Sequence, residues 1–303
     1  MARQDLESWL PVERNGAIAL ELNAVSAAET VLRQEPMGSD EKDVPLAGGV
    51  EVTVTRKGEA YTESNTVDRM VSLKSRKFTG AVRIAEEDLQ DIPEDVIRLR
   101  QVAWANTYAK KVDNAVFGVT VAEDGSGVAP FTSVYRALST PNAGASYTAN
   151  TNIIKTAGAV TYDTISQALG LVEESDFNAN LIIVAHPAFK GALRTLKDEG
   201  GSPLFLSGIN NTPDTLFGYQ LKFSSGLKTS AAASATPTGN PLLVVGNRDT
   251  FVFGRRTELQ RAVVQGFTSV GMTDEVIIKM RTRRAFTLAD PRAAAIVELT
   301  AGV

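Results

Sequence analysis

The feature that most constrains the fold of this 303-residue chain is one long helical pattern in its first half. Residues 86–118 carry apolar side chains at helical spacing, and five of these would share one broad face: Ile97, Trp104, Tyr108, Val112 and Ala115. Asp91 or Ile92 would cap the helix, and Pro93 suits its first turn, where no N–H is needed. We therefore predict a helix over about 93–117.

Ahead of this helix, residues 49–80 form a polar stretch that predicts a β-hairpin. Val50, Val52 and Val54 alternate with polar residues at strand spacing, and the sequence 71–85 returns as a second strand. A hairpin with so little apolar surface is not stable alone. We expect it to rest on its own chain or on a neighbouring molecule, and its candidate subunit-contact residues are Lys57, Tyr61, Glu63 and Arg69.

Residues 1–48 predict an extended arm with one short helix. The capping pattern Ser26-Ala27-Ala28-Glu29 starts a helix that would run to about Gln34. Residues 1–42 hold four basic and eight acidic side chains, a net charge of −4. The arm is therefore either solvated polar surface or a segment that lies across a neighbouring subunit.

Residues 276–299 predict two strands joined at Asp290-Pro291. Strand spacing in the first would place three cations on one face: Lys279, Arg281 and Arg283. Residues 255–292 hold eight basic and four acidic side chains, a net charge of +4. No aromatic residues interleave with these cations as stacking platforms for nucleic acid would. We expect them instead to pair with acidic surface on a neighbour, for example the acidic arm.

Residues 151–266 alternate between strand and helix patterns, which indicates a compact α/β subdomain. Thr161–Glu173 is helical, Leu181–Ala185 is a buried strand, and Pro187 opens a second helix. Two stretches predict irregular structure: residues 119–160, with a few short strands, and residues 228–241, a low-complexity surface loop.

The composition excludes several kinds of chemistry. The chain has no cysteine, so it has no disulfide, thiolate nucleophile or Cys-ligated zinc. Its one histidine, His186, follows a strand directly and predicts a strand-to-helix turn. The acidic residues Glu86-Glu87-Asp88 could bind a cation, but acids are common before a helix start. No apolar run approaches the length of a membrane helix. We predict no catalytic, cofactor-binding or metal-binding residues.

The order of these parts resembles the major capsid proteins of tailed bacteriophages, which have the Hong Kong 97-like fold. The sequence from Tyr61 to Leu89 is similar to the family's extended-loop exit into its long helix, and residues 113–130 are similar to the helix end and the glycine-rich turn. Four later segments continue the resemblance through the axial domain and the C-terminal strand pair of the peripheral domain: 186–205, 216–227, 244–256 and 283–297.

The resemblance implies an α+β fold of the Hong Kong 97-like type with four parts. These would be an N-terminal arm (1–48), an extended β-hairpin loop (49–80), a peripheral domain (81–150 and 267–303) with the spine helix (about 93–117), and an axial domain (151–266). The arm and the loop would reach across neighbouring subunits.

The function that the resemblance implies is structural. The subunits would self-assemble as hexamers and pentamers into the icosahedral shell around a double-stranded DNA phage genome, in the host bacterial cytoplasm. The expected partners are further copies, a portal protein and DNA contacted without sequence specificity. The resemblance leaves room for a separate scaffolding protein and a decoration protein, and implies no cofactor and no membrane.

Two features depart from some members of this family. Only 48 residues precede the extended loop, so we expect no N-terminal scaffolding segment. Some members join a loop lysine covalently to an asparagine near the terminal strand. Here Lys57, Lys74 and Lys77 are available, but Asp274 stands at the candidate partner position and no asparagine follows Asn247. We predict no such crosslink.

Other functions remain open at this point. An encapsulin-like compartment has the same fold and encloses cargo proteins instead of DNA. A hydrolase that uses the acidic residues 86–88 and a phage-tail or decoration protein are the further alternatives.

Overall fold

The computed structural model describes residues 26–46, 54–60, 63, 69–85, 96–158, 160–197, 205–206, 214–264 and 275–300. In this part of the chain the helices are α1 (Ala27–Val31), α2 (Val96–Phe117), α3 (Val134–Ser139), α4 (Tyr162–Glu173) and α5 (Phe189–Thr195). The strands are β1 (Arg33–Pro36), β2 (Glu41–Leu46), β3 (Arg69–Lys74), β4 (Arg76–Ala85), β5 (Ile153–Ala157), β6 (Leu181–Ala185), β7 (Phe205–Leu206), β8 (Thr215–Leu216), β9 (Tyr219–Phe223), β10 (Leu242–Asn247), β11 (Phe251–Val264), β12 (Glu275–Leu288) and β13 (Ala294–Thr300).

A mixed seven-stranded sheet, in the order β5-β13-β10-β6-β9-β8-β7, is the central layer. Its middle strands β13, β10 and β6 are buried on both faces. In β10, Leu243 and Val245 pack with α4 and α5, whereas Leu242 and Val244 face a second core. Continuous apolar runs are typical of strands covered on both sides, and for this reason the sequence predicted β6 correctly.

A four-stranded sheet, in the order β1-β11-β12-β4, covers the second core from the other side. Phe78, Phe251, Phe253 and Phe286 point from this sheet into that core. The last turns of α2 lie in the same core. The two sheets therefore enclose the end of the long helix between them.

The predicted long helix is confirmed over Val96–Phe117, but its interpretation as amphipathic is wrong for the C-terminal half. Every residue from Val112 to Val119 is buried, including Asp113 and Asn114. The reason is its position between two sheets, where all sides of the helix are covered. Polar groups that are buried in this way need hydrogen-bond partners.

Asn114 finds its partners at Gly226 and in the predicted surface loop 228–241 that follows it. Its amide donates to the carbonyl oxygens of Gly226 (3.0 Å) and Lys228 (2.8 Å). Its oxygen accepts from the hydroxyl of Ser230 (2.9 Å) and the N–H of Ser234 (3.0 Å). Residues 228–241 do form a loop without helix or strand, as predicted, but a low-complexity composition does not show that this loop is bonded to a buried side chain.

Other predicted helices are confirmed, but some of them end at different residues than predicted. The helix after Thr161 is confirmed, and the Thr161 hydroxyl accepts from the N–H of Thr164. The helix after His186 is shorter than predicted, and α3 within 119–160 was missed. The arm helix ends at Val31 rather than near Gln34, because β1 pairs in parallel with β11.

The hairpin predicted within residues 49–80 is not what the described residues form. Strand β3 pairs with β2 of the arm, and β4 pairs with β12, so the sequence 71–85 is two strands separated at Ser75. Leu73 and Val44 of the β2–β3 pair pack together with Met37, Val252 and Ala285. Strand β2 contributes an apolar side chain to this cluster, whereas the residues near Val54 are mostly polar and would contribute little. Residues 51–53, the centre of the predicted first strand, lie outside the described residues.

The two large sheets do not follow the chain order. Strand β11 lies within 151–266 but belongs to the four-stranded sheet, and β13 lies within 267–303 but belongs to the seven-stranded sheet. The strands on either side of Asp290-Pro291 are therefore confirmed as strands, and they lie in different sheets. The division of the chain into arm, loop, peripheral domain and axial domain stays a prediction.

Asn114→Ala should lower the free energy of unfolding by about 2–4 kcal/mol, because it leaves several buried backbone and hydroxyl groups without a partner. Chemical denaturation measures this loss. Asn178→Ala, at an exposed position, is the control and should change stability by less than about 0.5 kcal/mol. Equal effects from both variants would contradict the role of Asn114.

Candidate assembly surfaces

A buried carboxylate fixes the start of the arm helix. Asp113 of α2 accepts from the Ser26 hydroxyl (2.6 Å) and from the N–H groups of Ala27 (2.9 Å) and Ala28 (3.0 Å). The hydroxyl of Ser224, which follows β9, donates at 2.5 Å. Burial raises the pKa of Asp113, against the hydrogen bonds from Ser224 and Ser26. One side chain thus joins the arm, the long helix and the seven-stranded sheet.

A second network holds the same helix against the four-stranded sheet. Glu29 accepts from the Tyr108 hydroxyl (2.6 Å) and from Nε of Arg284 (2.7 Å). Arg284 is itself buried and also donates to the carbonyl oxygen of Thr257 and to Glu258. Burial and the charge of Glu29 raise the pKa of Tyr108, so this phenol stays protonated. The capping pattern is therefore only half of a capping box, because Glu29 turns away to Tyr108 and Arg284.

The arm was predicted to be either solvated surface or a segment that crosses to a neighbour. Its described part, residues 26–46, docks on its own chain through Asp113, Glu29 and the β1–β11 pairing. Residues 1–25 lie outside the described residues, so a reach towards a neighbour stays a prediction for them.

Two of the predicted contact residues use their charge within the chain. Arg283 donates to Asp40 of the arm at 3.2 Å, and Arg256 also pairs with Asp40. Arg69 of β3 donates to Asp290 at 3.0 Å. Arg283 of the basic strand therefore pairs with the acidic arm within one molecule, and the expected pairing with a neighbour stays a prediction.

The described loop residues among the predicted contacts, Lys57 and Glu63, are exposed. Lys57 and Gly58 form a turn in which Glu59 donates its N–H to the carbonyl oxygen of Arg56, and Gly58 has φ +94°. Lys57, Glu59 and Glu63 are exposed, whereas Tyr61 lies outside the described residues. In residues 54–60, the hydrogen bonds between described residues stay within the turn itself.

The predicted row of cations forms one face of the four-stranded sheet. Lys279 and Arg281 are exposed and Arg283 is half-buried, while Ile278, Met280 and Thr282 point inward. The residues beside this row on β4 and β11 are also exposed: Lys77, Thr79, Ala81, Gln260 and Ala262. Arg281 donates to Gln260 at 2.9 Å, and Lys279 has no ion pair with any described residue. We call this surface the basic sheet face. Whether it meets another subunit stays a prediction.

Sequence reasoning missed a cluster at the corner between β12 and β13. Asp290 accepts from Arg69, from the Arg292 side chain (2.9 Å) and from the Arg292 N–H. Burial alone would raise the pKa of Asp290, but the hydrogen bonds from Arg292 and Arg69 outweigh it and lower the pKa. The Asp-Pro pair signals a turn. Nothing local in the sequence shows that Arg69, which is 221 positions away along the chain, lies beside Asp290 in the fold.

The residues considered for catalytic or metal chemistry either form a turn or lie outside the described residues. His186 accepts the N–H of Ala188 at Nδ1, and burial together with the charge of Lys228 lowers the pKa of His186 to about 4. Among the described residues, no group of three or more metal-binding side chains occurs. No described helix is both long and apolar enough to span a membrane. Glu86, Glu87 and Asp88 lie outside the described residues.

Comparison with known proteins identifies a family and several solved structures that this chain resembles. The phage capsid family matches residues 9–299 of the chain. Among curated protein sequences, none matches. Solved structures with the same fold include one from Microbacterium phage Oxtober96 (18% identity, TM-score 0.69, 99% of both chains) and one from Mycobacterium phage Bobi (15% identity, TM-score 0.72, 99% of this chain and 98% of that chain).

A third is the capsid of an empty GTA particle, with 15% identity and a TM-score of 0.67 over 98% of this chain and 97% of that chain. At these identities the structures show the fold alone. The predicted α+β capsid fold is confirmed.

Asp290→Asn should lower the free energy of unfolding at pH 7 by about 1–3 kcal/mol, because the charge-assisted hydrogen bonds from Arg69 and Arg292 lose their anion. The pKa of Asp290 is lower in the folded chain than its unfolded value of about 3.9. The stability from its charge is therefore present above about pH 4 and lost as the pH falls through the folded pKa.

Unfolding curves of both proteins between pH 7 and pH 3 measure this effect, and the two should converge at low pH. Asp176→Asn, at an exposed position with φ +64°, is the matched control. A difference between Asp290→Asn and the unmodified chain that stayed constant with pH would show that the charge of Asp290 is not involved.

Proposed function

The chain belongs to the phage capsid family, whose members are structural shell subunits rather than enzymes, and from this premise we propose that it assembles as hexamers and pentamers into an icosahedral shell around a double-stranded DNA genome. The proposed assembly rests on one observation, which is that the chain has two exposed surfaces of the kind that could contact a neighbour. One is the exposed polar loop around Lys57–Gly58, and the other is the basic sheet face.

The loop carries two acids beside the cations Arg56 and Lys57, and only the acids are complementary in charge to the basic sheet face. The loop presents Glu59 and Glu63, and the basic sheet face presents Lys279 and Arg281. We infer that the loop of one subunit lies on the basic sheet face of the next. Tyr61 and Lys57 would contact the same neighbour, whereas Arg69 and Arg283 hold the loop base and the arm in place within each subunit.

Many modest contacts of this kind are sufficient for a stable container. Each exposed ion pair contributes little alone, about 0–1 kcal/mol. A subunit held by several neighbours at once is nevertheless retained strongly, and closed symmetry repeats each contact around the shell. A GTA capsid with this fold was computed with C5 symmetry, which supports pentamers as one of the two ring sizes.

The remaining partners follow from the same proposal. We infer a portal protein at one vertex, assembly in the host bacterial cytoplasm, and a place for separate scaffolding and decoration proteins. The packaged DNA would be contacted without sequence specificity, because a subunit with a net charge of −4 offers no strong polycationic wall. An encapsulin-like compartment is not favoured by a specific observation, since the similar structures named above come from phages and a GTA particle.

Deletion of residues 56–68 should abolish closed shells and leave a folded subunit, because it removes the contact with the neighbouring subunit while both cores stay complete. Negative-stain electron microscopy shows the shells, and circular dichroism shows the fold. Intact shells from the deleted chain would refute the role of the loop.

Reversal of charge tests the pairing itself. Lys279→Glu combined with Arg281→Glu should reduce shell yield at least tenfold, because like charges would then face each other across the contact. Glu59→Lys combined with Glu63→Lys should restore part of the yield. Lys222→Glu, at an exposed lysine on β9, is the matched control. Unchanged shells from the double reversal would remove the basic sheet face from the proposal without affecting family membership.

A further inference from the structure

A groove with a volume of about 570 Å³ lies between the long helix and the four-stranded sheet. Its sheet wall is the consecutive run 76–79 of β4, and the turn 125–127 lines it as well. Its helix wall is a stripe of α2 at helical spacing: Trp104, Thr107, Tyr108 and Lys111. Clefts that bind ligands usually measure about 300–1,000 Å³, so this groove is large enough to hold one.

The sheet wall is a strand edge with unused backbone groups. Strand β4 is the last strand of its sheet, and among the described strands β12 is its single partner. The N–H of Ala289 donates to the carbonyl oxygen of Thr250, so the odd-numbered residues of β12 bond to β11 and the even-numbered ones bond to β4. An unbroken register pairs these with the even-numbered residues of β4. The N–H and C=O groups of Lys77 and Thr79 therefore point away from β12, towards the groove.

The groove is cationic. No aspartate or glutamate is among the described residues that line it. Lys111 is half-buried, Lys77 is exposed at the rim, and neither forms an ion pair with a described residue. Arg76, by contrast, is used by Glu123 outside the groove, at 2.9 Å. The nearby carboxylate of Asp124 accepts three hydrogen bonds within its own turn. An occupant with negative charge would therefore be complementary to the groove.

Two aromatic rings give the groove an apolar surface. Trp104 and Tyr108 stack with their ring centroids 4.9 Å apart and their planes 9° apart, and both are half-buried. The indole lies against Gly80, where a Cβ atom would come within 2.3 Å of it. The helix and the strand therefore meet at Trp104, and a large apolar side chain of an occupant can pack on the two rings.

An open strand edge, an apolar surface and unpaired cations together suit an extended peptide. The main chain of an added strand would bond to the backbone groups of Lys77 and Thr79, and its alternate side chains would point to opposite faces. Single-stranded nucleic acid would also match the charge and the rings. Its phosphates are acceptors, however, and cannot donate to the carbonyl oxygens of the edge. A peptide is therefore the better match.

We propose that this groove binds an extended acidic segment of a separate protein as a strand added to β4. An apolar side chain of the segment packs on Trp104 and Tyr108, and its carboxylates lie near Lys77 and Lys111. The inference rests on the proposed function, because a shell subunit is the binding partner of separate scaffolding or decoration proteins.

The chain's own exposed segments are less suitable as the occupant. The loop of a second copy is assigned to the basic sheet face, which is the opposite face of the sheet from α2. The acidic residues 86–88 of the same chain follow Ala85, which lies roughly 26 Å along the strand from Lys77. They therefore start at the far end of β4 from the groove.

Peptide binding to the purified chain tests the proposed site. The probes are fluorescein-labelled hexapeptides in which glutamate alternates with valine, leucine or phenylalanine, with lysine peptides of the same pattern and single-stranded oligothymidylate for comparison. Fluorescence anisotropy should show binding of the glutamate peptides alone. Lys111→Glu should weaken this binding about tenfold, whereas Lys197→Glu, at an exposed lysine outside the groove, should leave it unchanged. The proposal would be overturned if no glutamate peptide bound more tightly than about 1 mM, if both variants lost binding equally, or if the oligonucleotide bound more tightly.

Two further measurements test the space and the strand edge. Gly127→Leu adds a side chain at a groove residue where a Cβ atom meets no other atom within 4 Å, so the melting temperature should be unchanged and binding lost. Gly191→Leu, at an equally open position on α5, is the control. N-methylation of one alternate set of peptide residues should abolish binding and N-methylation of the other set should not, because only one set of N–H groups bonds to the edge. Equal effects of the two sets would contradict strand addition.

A peptide copied from residues 84–93 of this chain tests the alternative of a second copy. Weaker binding of this peptide than of the glutamate hexapeptides is expected, and tighter binding would overturn the separate protein as occupant. These measurements do not need shells, so a negative result would leave the proposed function standing. Failure of the unmodified chain to form shells even with its scaffolding partner would instead count against the proposed function.

Discussion

The buried carboxylate of Asp113 is the interaction on which the rest of the described structure depends. It lies inside the protein and is satisfied by four donors from two other segments of the chain, residues 26–28 and Ser224. Two of these donors are the first N–H groups of the arm helix, so Asp113 caps that helix from a different helix. Because it fixes α1, it also sets the place from which β1 runs along β11 and from which Glu29 meets Arg284. A single acidic side chain in the long helix thereby positions the whole described arm.

Local patterns in the sequence were sufficient to predict several elements of the fold, but not α3 or the pairing of β3 with β2. The structure confirms α2, β6 and the helix after Thr161. The sequence signals for each of these elements lie within a few residues of one another. The alternation of Lys279, Arg281 and Arg283 likewise predicted one exposed face. What the sequence could not supply is the partner of a polar group, because Ser26 and Asp113 or Glu29 and Arg284 are separated by 87 and 255 positions.

Charge shows the limit of sequence reasoning most clearly. The acidic arm and the basic strand were recognised as complementary, yet composition does not tell whether two complementary segments meet within one molecule or between two. Asp40 with Arg283 and Arg256 shows that part of the charge is used within the chain. The remainder, on the loop and on the basic sheet face, forms no ion pair among the described residues, and the proposed contact between subunits is a use for it.

The crossing of the chain between the two large sheets has a mechanical consequence. Only the short helical turn Arg248–Thr250 separates β10 of one sheet from β11 of the other, and the corner at Asp290 separates β12 from β13 in the same way. Both described crossings lie next to the core that the two sheets share. A pull applied to one sheet is therefore carried to the other within a few residues of backbone, and a rotation between the sheets would have to disturb the packing of that core.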